Sequence, residues 1–156
     1  MSQPFKYNRD RIQAYLQRWT TFNNPSFPDM SGLLGNNANF AYQCLVIGGY
    51  FPFGTPHLDT CRTGFNYTIS KIQNLENALI DLSPEVYVKT VPVFDQVQTG
   101  DFVVVRTGNR KTVFVVEFDN SVLKYYGKDP LVRGSALPVG DEYIFYLMPD
   151  NGSRTI

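Results

Sequence analysis

Cys44, Cys61 and His57 are the residues of this chain best suited to nucleophilic chemistry, since a thiolate attacks a carbonyl carbon and an imidazole takes the thiol's proton. His57 is the only histidine and stands four residues before Cys61, with Asp59 between them. The spacing is local and no recognisable motif surrounds it, so it reads as a surface histidine beside an incidental cysteine. A metal site at His57, Asp59 and Cys61 would lack a fourth spaced ligand, and no cofactor is expected. Cys44 shares a helical stripe with Phe40 and Ile47, the setting of a small core hydrophobe. Cys44 and Cys61 could form one disulfide, but their setting favours two free thiols. Asp101 follows Gly100 and suits a turn at a strand start. Glu76 and Asp81 sit on a solvated helix face, which gives paired-carboxylate hydrolysis no support. Gly32, Gly35 and the asparagines beside them do not make a phosphate loop, because no Gly-Lys-Ser/Thr follows. Tyr125 and Tyr126, with Phe114 and Phe118, fall at strand positions where packing is the plainer reading than a stacking platform.

These groups must be held by elements whose pattern changes at mid-chain. Ile12, Tyr15, Leu16 and Trp19 fall at i, i+3, i+4 and i+7 and predict an amphipathic helix over about residues 8–22, with Asn8 as N-cap and Pro25 beyond its end. A turn-rich loop follows. A second helix is expected from Asn37 or Ala38 to Ile47, ended by Gly48 and Gly49. Residues 50–67 show no period and read as irregular. A third helix begins near Ser70, where Ser70 and Gln73 have capping-box spacing, and carries Ile72, Leu75, Leu79 and Leu82 before Pro84. The period then becomes two. Strands are expected at Val86–Val91, Asp101–Arg106, Thr112–Phe118, Val122–Tyr126 and Tyr143–Met148, separated by turns at Thr99-Gly100, Thr107-Gly108-Asn109 and Asp119-Asn120. Helices first and an antiparallel sheet afterwards define an α+β fold. No linker or repeat interrupts it, so residues 1–156 read as a single domain.

Composition narrows the partners. Fourteen basic and fourteen acidic residues cancel, which leaves no broad electrostatic footprint for nucleic acid or for an anionic membrane. Twelve Phe and ten Tyr imply a core of large flat side chains. The chain has no stretch of ~20 apolar residues, and MSQPFKYNRD has no signal-peptide character. It reads as soluble, with secreted and cytoplasmic locations both open.

The order of motifs resembles the bacterial putative amidase domain family of papain-like cysteine hydrolases, relatives of the NlpC-type and CHAP peptidoglycan amidases. Tyr7, Asn8, Arg9, Tyr15, Trp19, Asn24 and Pro25 match its first part. Gly35, Ala38, Asn39, Phe40, Gln43, Cys44, Leu45, Gly48 and Gly49 match its second, and Gly100-Asp101 and Tyr143–Leu147 suit its sheet. The resemblance implies a papain-like arrangement, with N-terminal helices packed on a C-terminal antiparallel sheet. It also implies a cysteine nucleophile in the first turn of the second helix, where unpaired N–H groups favour the thiolate and an oxyanion.

The chemistry of that resemblance is missing here. The Asp-Cys pair of the family becomes Asn36-Asn37, and a neutral amide does not attack as a thiolate does. Asn37 is instead a good helix cap. The general-base position falls at Lys111 or Thr112, and no orienting residue is evident within 125–129. The leading expectation is a catalytically inactive relative that binds a peptide, a cell-wall fragment or a protein partner. Asn36, Asn37, Asn39, Lys111 and Thr112 would line its cleft. Two alternatives remain open: a scaffold reused for structure or self-association, and an active cysteine hydrolase with its nucleophile moved to Cys61 beside His57 or engineered out at position 37.

Overall fold

The computed structural model describes residues 2–27, 29, 36–51, 72–90 and 93–155. His57, Asp59, Cys61, Gly32, Gly35, Ser70 and the irregular stretch after Phe51 lie outside these residues. In chain order the elements are β1 (Ser2–Lys6), α1 (Arg9–Trp19), α2 (Asn37–Ile47), α3 (Ile72–Leu82), β2 (Tyr87–Lys89), β3 (Phe102–Thr107), β4 (Arg110–Asp119), β5 (Val122–Gly127), β6 (Val132–Gly134), β7 (Glu142–Leu147) and β8 (Asn151–Thr155). The fold is α+β. Its main sheet has six antiparallel strands in the order β2-β7-β3-β4-β5-β6, and β1 pairs with β8 in a separate two-stranded sheet.

Local chemistry explains most boundaries. Asn8 caps α1, its side chain accepting from the Arg11 N–H at 3.1 Å. The helix ends at Trp19, short of residue 22, and the Thr20 hydroxyl turns back to bond the Leu16 carbonyl. Helix α2 is buried at every position but its last, which is how a helix apolar around most of its circumference behaves. It lies against β4 and between α1 and α3. Gly49, at φ +87°, turns the chain out of the helix, and position 48 must be glycine because a Cβ would lie 2.5 Å from Ile12 Cδ1 and 2.9 Å from Tyr7 Cε1.

The sheet is covered on both faces, so the inner strands read as apolar runs where an alternation would mark one wet face. Phe102, Val104, Val113, Val115, Tyr126 and Tyr146 pack with the helices. Val103, Val105, Phe114, Val116, Tyr125 and Phe145 pack on the opposite side with Val93 and Val97. Two tight hairpins join β3 to β4 and β4 to β5. Gly108 takes φ +60° in the first, and Asn120 and Ser121 take φ +50° and +63° in the second, so that turn is one residue later than Asp119-Asn120 suggests. The sequence reading omits β1, β6 and β8. Ser2–Lys6 contains a proline and Asn151–Thr155 is polar, so neither has strand periodicity; each is a strand because the other pairs with it.

Candidate functional site

The residues matched between α1, α2 and the sheet form one contact set. The Tyr7 hydroxyl donates to the Gly100 carbonyl at 2.6 Å. Arg9 donates to Asp101 Oδ1 and to the carbonyls of Thr99 and Met148, and it pairs with Asp150 at 3.0 Å. Asp101 is buried and also accepts from the N–H groups of Gln98 and Met148. Burial pushes its carboxyl above the usual range, against the opposing pull of Arg9 and these N–H donors. Farther along α1, Tyr15 donates to Gln43 Oε1 at 2.5 Å and accepts from Asn24 Nδ2 at 3.2 Å. These groups fix how α1 and α2 sit on the sheet.

Position 37 has a different role from the expected cap. The N-cap is Asn36, and Asn37 is the first helical residue, with its side chain turned away from its own helix. Its Oδ1 accepts from the Val113 N–H at 2.7 Å, and its Nδ2 donates to the carbonyls of Val113 at 3.1 Å and Lys128 at 2.8 Å. One N–H and two carbonyls as partners fix which amide atom is which. The register explains why a carboxamide suits this place. Strands β4 and β5 pair from Asp119↔Val122 to Val115↔Tyr126, so two further steps would set Val113 opposite Lys128. There the strands separate, and the side-chain amide of Asn37, which carries the same donor and acceptor as a peptide group, fills the seam.

Around this seam the start of α2 is enclosed by polar side chains. The Asn36 N–H donates to Asp129 Oδ2 at 2.5 Å, and Asn36 Nδ2 donates to Asp29 Oδ1 at 2.8 Å. The two carboxylates thus gather at the positive end of the helix dipole. Lys128 folds inward, donating to the Phe22 carbonyl and to Asn23 Oδ1 and lying 5.1 Å from the Phe40 ring centroid. Burial draws its amine below the usual lysine range, with Asp129 and Asp29 opposing. The buried Asn39 donates to Asn36 Oδ1 at 3.2 Å.

The five cleft candidates do not share one wall. Asn36, Asn37 and Asn39 are together at the start of α2. Lys111 is on the helix-facing side of β4, 2.9 Å from Glu76 Oε1 of α3. Glu76 is buried there and accepts as well from the Tyr146 hydroxyl, which corrects its placement on a solvated face. Thr112, one residue on, necessarily points to the other face of the strand. It borders a depression with Thr107, Arg110, Asp129 and Pro130. Cys44 is free and fully buried, and burial pushes its thiol well above the usual range. Among the described residues no group of three His, Cys, Asp or Glu side chains is placed to hold a metal.

Sequence reasoning missed the acidic partners. Asp129 lies in the segment searched for an orienting group, but its partner is the N–H of Asn36. Glu117, wholly buried on β4, accepts from Gln17 Nε2 at 3.0 Å and the Tyr126 hydroxyl at 2.8 Å. The one available signal was its place in an apolar strand, where a carboxylate needs partners.

An α+β fold with a buried helix whose first turn abuts an antiparallel sheet defines the class. Residues 6–126 match the putative amidase domain family, which is more than half of the chain, and the chain belongs to that family. No curated protein and no solved structure matches it.

Proposed function

We propose that this family member binds an amide-containing ligand, a peptide or cell-wall fragment, without hydrolysing it. On this reading the fold is papain-like, related to the NlpC-type and CHAP amidases, and Asn37 stands where their nucleophilic cysteine would be. The observation that carries the reading is the engagement of Asn37. All three of its amide hydrogen bonds go to backbone groups of the sheet and of the segment leaving β5, so it has become part of the framework. Two further observations support it. The Asn36 N–H, which would help receive an oxyanion, is occupied by Asp129. Lys111, at one of the two candidate base positions, is held by Glu76.

The test is a turnover assay on a peptidoglycan stem peptide, with and without iodoacetamide and followed by mass spectrometry. No cleavage above the buffer blank is expected. Cleavage abolished by iodoacetamide would refute the proposal and point to Cys61, since Cys44 is sealed in the core.

A further inference from the structure

The end of the β3–β4 hairpin carries three cations, and their surroundings differ. Arg106 donates to the Gly108 carbonyl and pairs with Glu142 at 3.4 Å. Lys111 pairs with Glu76. Arg110 is exposed, and among the described residues its guanidinium has no ion pair or hydrogen bond. Thr107 is its cross-strand partner, so the two share a face, and Thr112, two residues along β4, points the same way. Neither threonine hydroxyl has a hydrogen-bond partner among the described residues. These three side chains, with Asp129 and Pro130, are the described residues that border a depression of about 640 Å³. That volume lies within the range of small-ligand sites, roughly 300–1,000 Å³.

The charge balance of the depression selects its ligand. The Asp129 carboxylate is already engaged by the Asn36 N–H at the positive end of α2, whereas Arg110 pairs with no carboxylate among the described residues. An anion is the ligand that would complement this guanidinium. A planar carboxylate matches the guanidinium fork, and the two hydroxyls supply further donors. The nearby Asp129 disfavours a doubly charged phosphate but would accept the N–H groups that flank a peptide's terminal carboxylate. We infer that this depression binds the C-terminal carboxylate end of a short peptide, with Arg110 as the specificity-determining residue. The inference rests on the binding role proposed above and names the ligand end that the site would hold.

The experiment is an ¹⁵N–¹H chemical-shift titration of the whole chain with acetyl-alanyl-alanine, its C-terminal amide, and inorganic phosphate, repeated on Arg110→Gln. The free acid should shift resonances of residues 107–112 and 129 saturably, with the amide at least about tenfold weaker, as expected for loss of one charge-assisted contact. Arg110→Gln should bind the acid at least about tenfold more weakly and no longer distinguish it from the amide; its spectrum also reports whether the fold is kept. Equal binding of acid and amide, preference for phosphate, an unaltered Arg110→Gln, or no shift with the acid would each overturn the inference. Release of alanine during the titration would instead overturn the non-hydrolytic reading while leaving the carboxylate contact standing.

Discussion

Substituting Asn37→Asp separates a framework amide from a helix cap, because the two roles predict opposite responses to a nearly isosteric change. If position 37 served as a cap, aspartate would do as well as asparagine, and the α2 dipole would add about 0.3–1 kcal/mol in its favour. In the seam the result differs. The Val113 N–H keeps an acceptor, but the donor shared by the carbonyls of Val113 and Lys128 is lost, and a carboxylate oxygen faces both at about 3 Å. Two lost hydrogen bonds cost roughly 1–3 kcal/mol together. Burial of an opposed charge adds to that, and the dipole offsets part of it. A net loss of about 2–4 kcal/mol is expected at pH 7, or roughly 4–16 °C in Tm for a chain of this size. The introduced carboxyl, held among carbonyl oxygens, would have its pKa raised in the folded state. A raised folded pKa means that stability returns as the pH falls below it, so the gap between variant and wild type should narrow by pH 5. Urea denaturation at the two pH values measures both quantities. A variant within about 0.5 kcal/mol of wild type at pH 7, or one more stable, would refute the seam.

Two other outcomes follow from buried polar groups. Asp101→Asn leaves Arg9 in a largely buried site without its main counter-charge; breaking buried pairs costs 3–5 kcal/mol, and the exposed Asp150 that Arg9 also touches moderates this to about 2–4 kcal/mol, so a denaturation midpoint unchanged from wild type would be contrary evidence. Burial raises the phenol pKa of Tyr7, Tyr15, Tyr50 and Tyr146, and that of Tyr126 to about 12. The folded state therefore holds these protons more tightly than the unfolded chain, and the stability they contribute is full below about pH 10 and lost as the pH rises through the folded values. The tyrosinate absorbance of these five should accordingly appear together with loss of far-UV ellipticity in a cooperative alkaline transition; their smooth ionisation near pH 10 with the fold intact would be the contrary result.

Helices α1 and α3 were legible in the sequence because one-sided burial gave them a period, whereas α2, buried almost all round, was bounded by Gly48 and Gly49 at its end. Ile12, Tyr15 and Leu16 mark the inner face of α1, and the bounds expected for α2 match those found. The inner strands were legible through their apolar residues, and the antiparallel order through the turns between them. What could not be read is whatever one segment owes to a distant one. Ser2–Lys6 and Asn151–Thr155 have no strand signature apart from each other. The solvated reading of Glu76 failed because its partners, Lys111 and Tyr146, come from other elements. The same limit applied at Asn37. Residue type suggested a cap, since asparagine favours that position, whereas the side chain answers a gap between β4 and β5 that appears only once the register is known. Conversely, the expectation of one cleft lined by both Lys111 and Thr112 overlooked the alternation along β4, which sets adjacent residues on opposite faces.

The pairing of β1 with β8 also determines how the protein bears tension. Ser2 lies opposite Thr155 at the outer end of this ribbon, and Lys6 lies opposite Asn151 at its inner end. A load applied at the two outer ends would peel the strands apart one rung at a time, with a first resistance at Arg154, which donates to the carbonyls of Gly49 and Tyr50 and to Gln3 Oε1. Peeling then reaches the Tyr7 N–H on the Asp150 carbonyl and, beside it, the bonds of Arg9 to Thr99, Asp101, Met148 and Asp150, where several contacts share the load. The ribbon would act as a lead held partway by Arg154, and the Arg9 cluster as the clasp that keeps the helices on the sheet once that hold gives way.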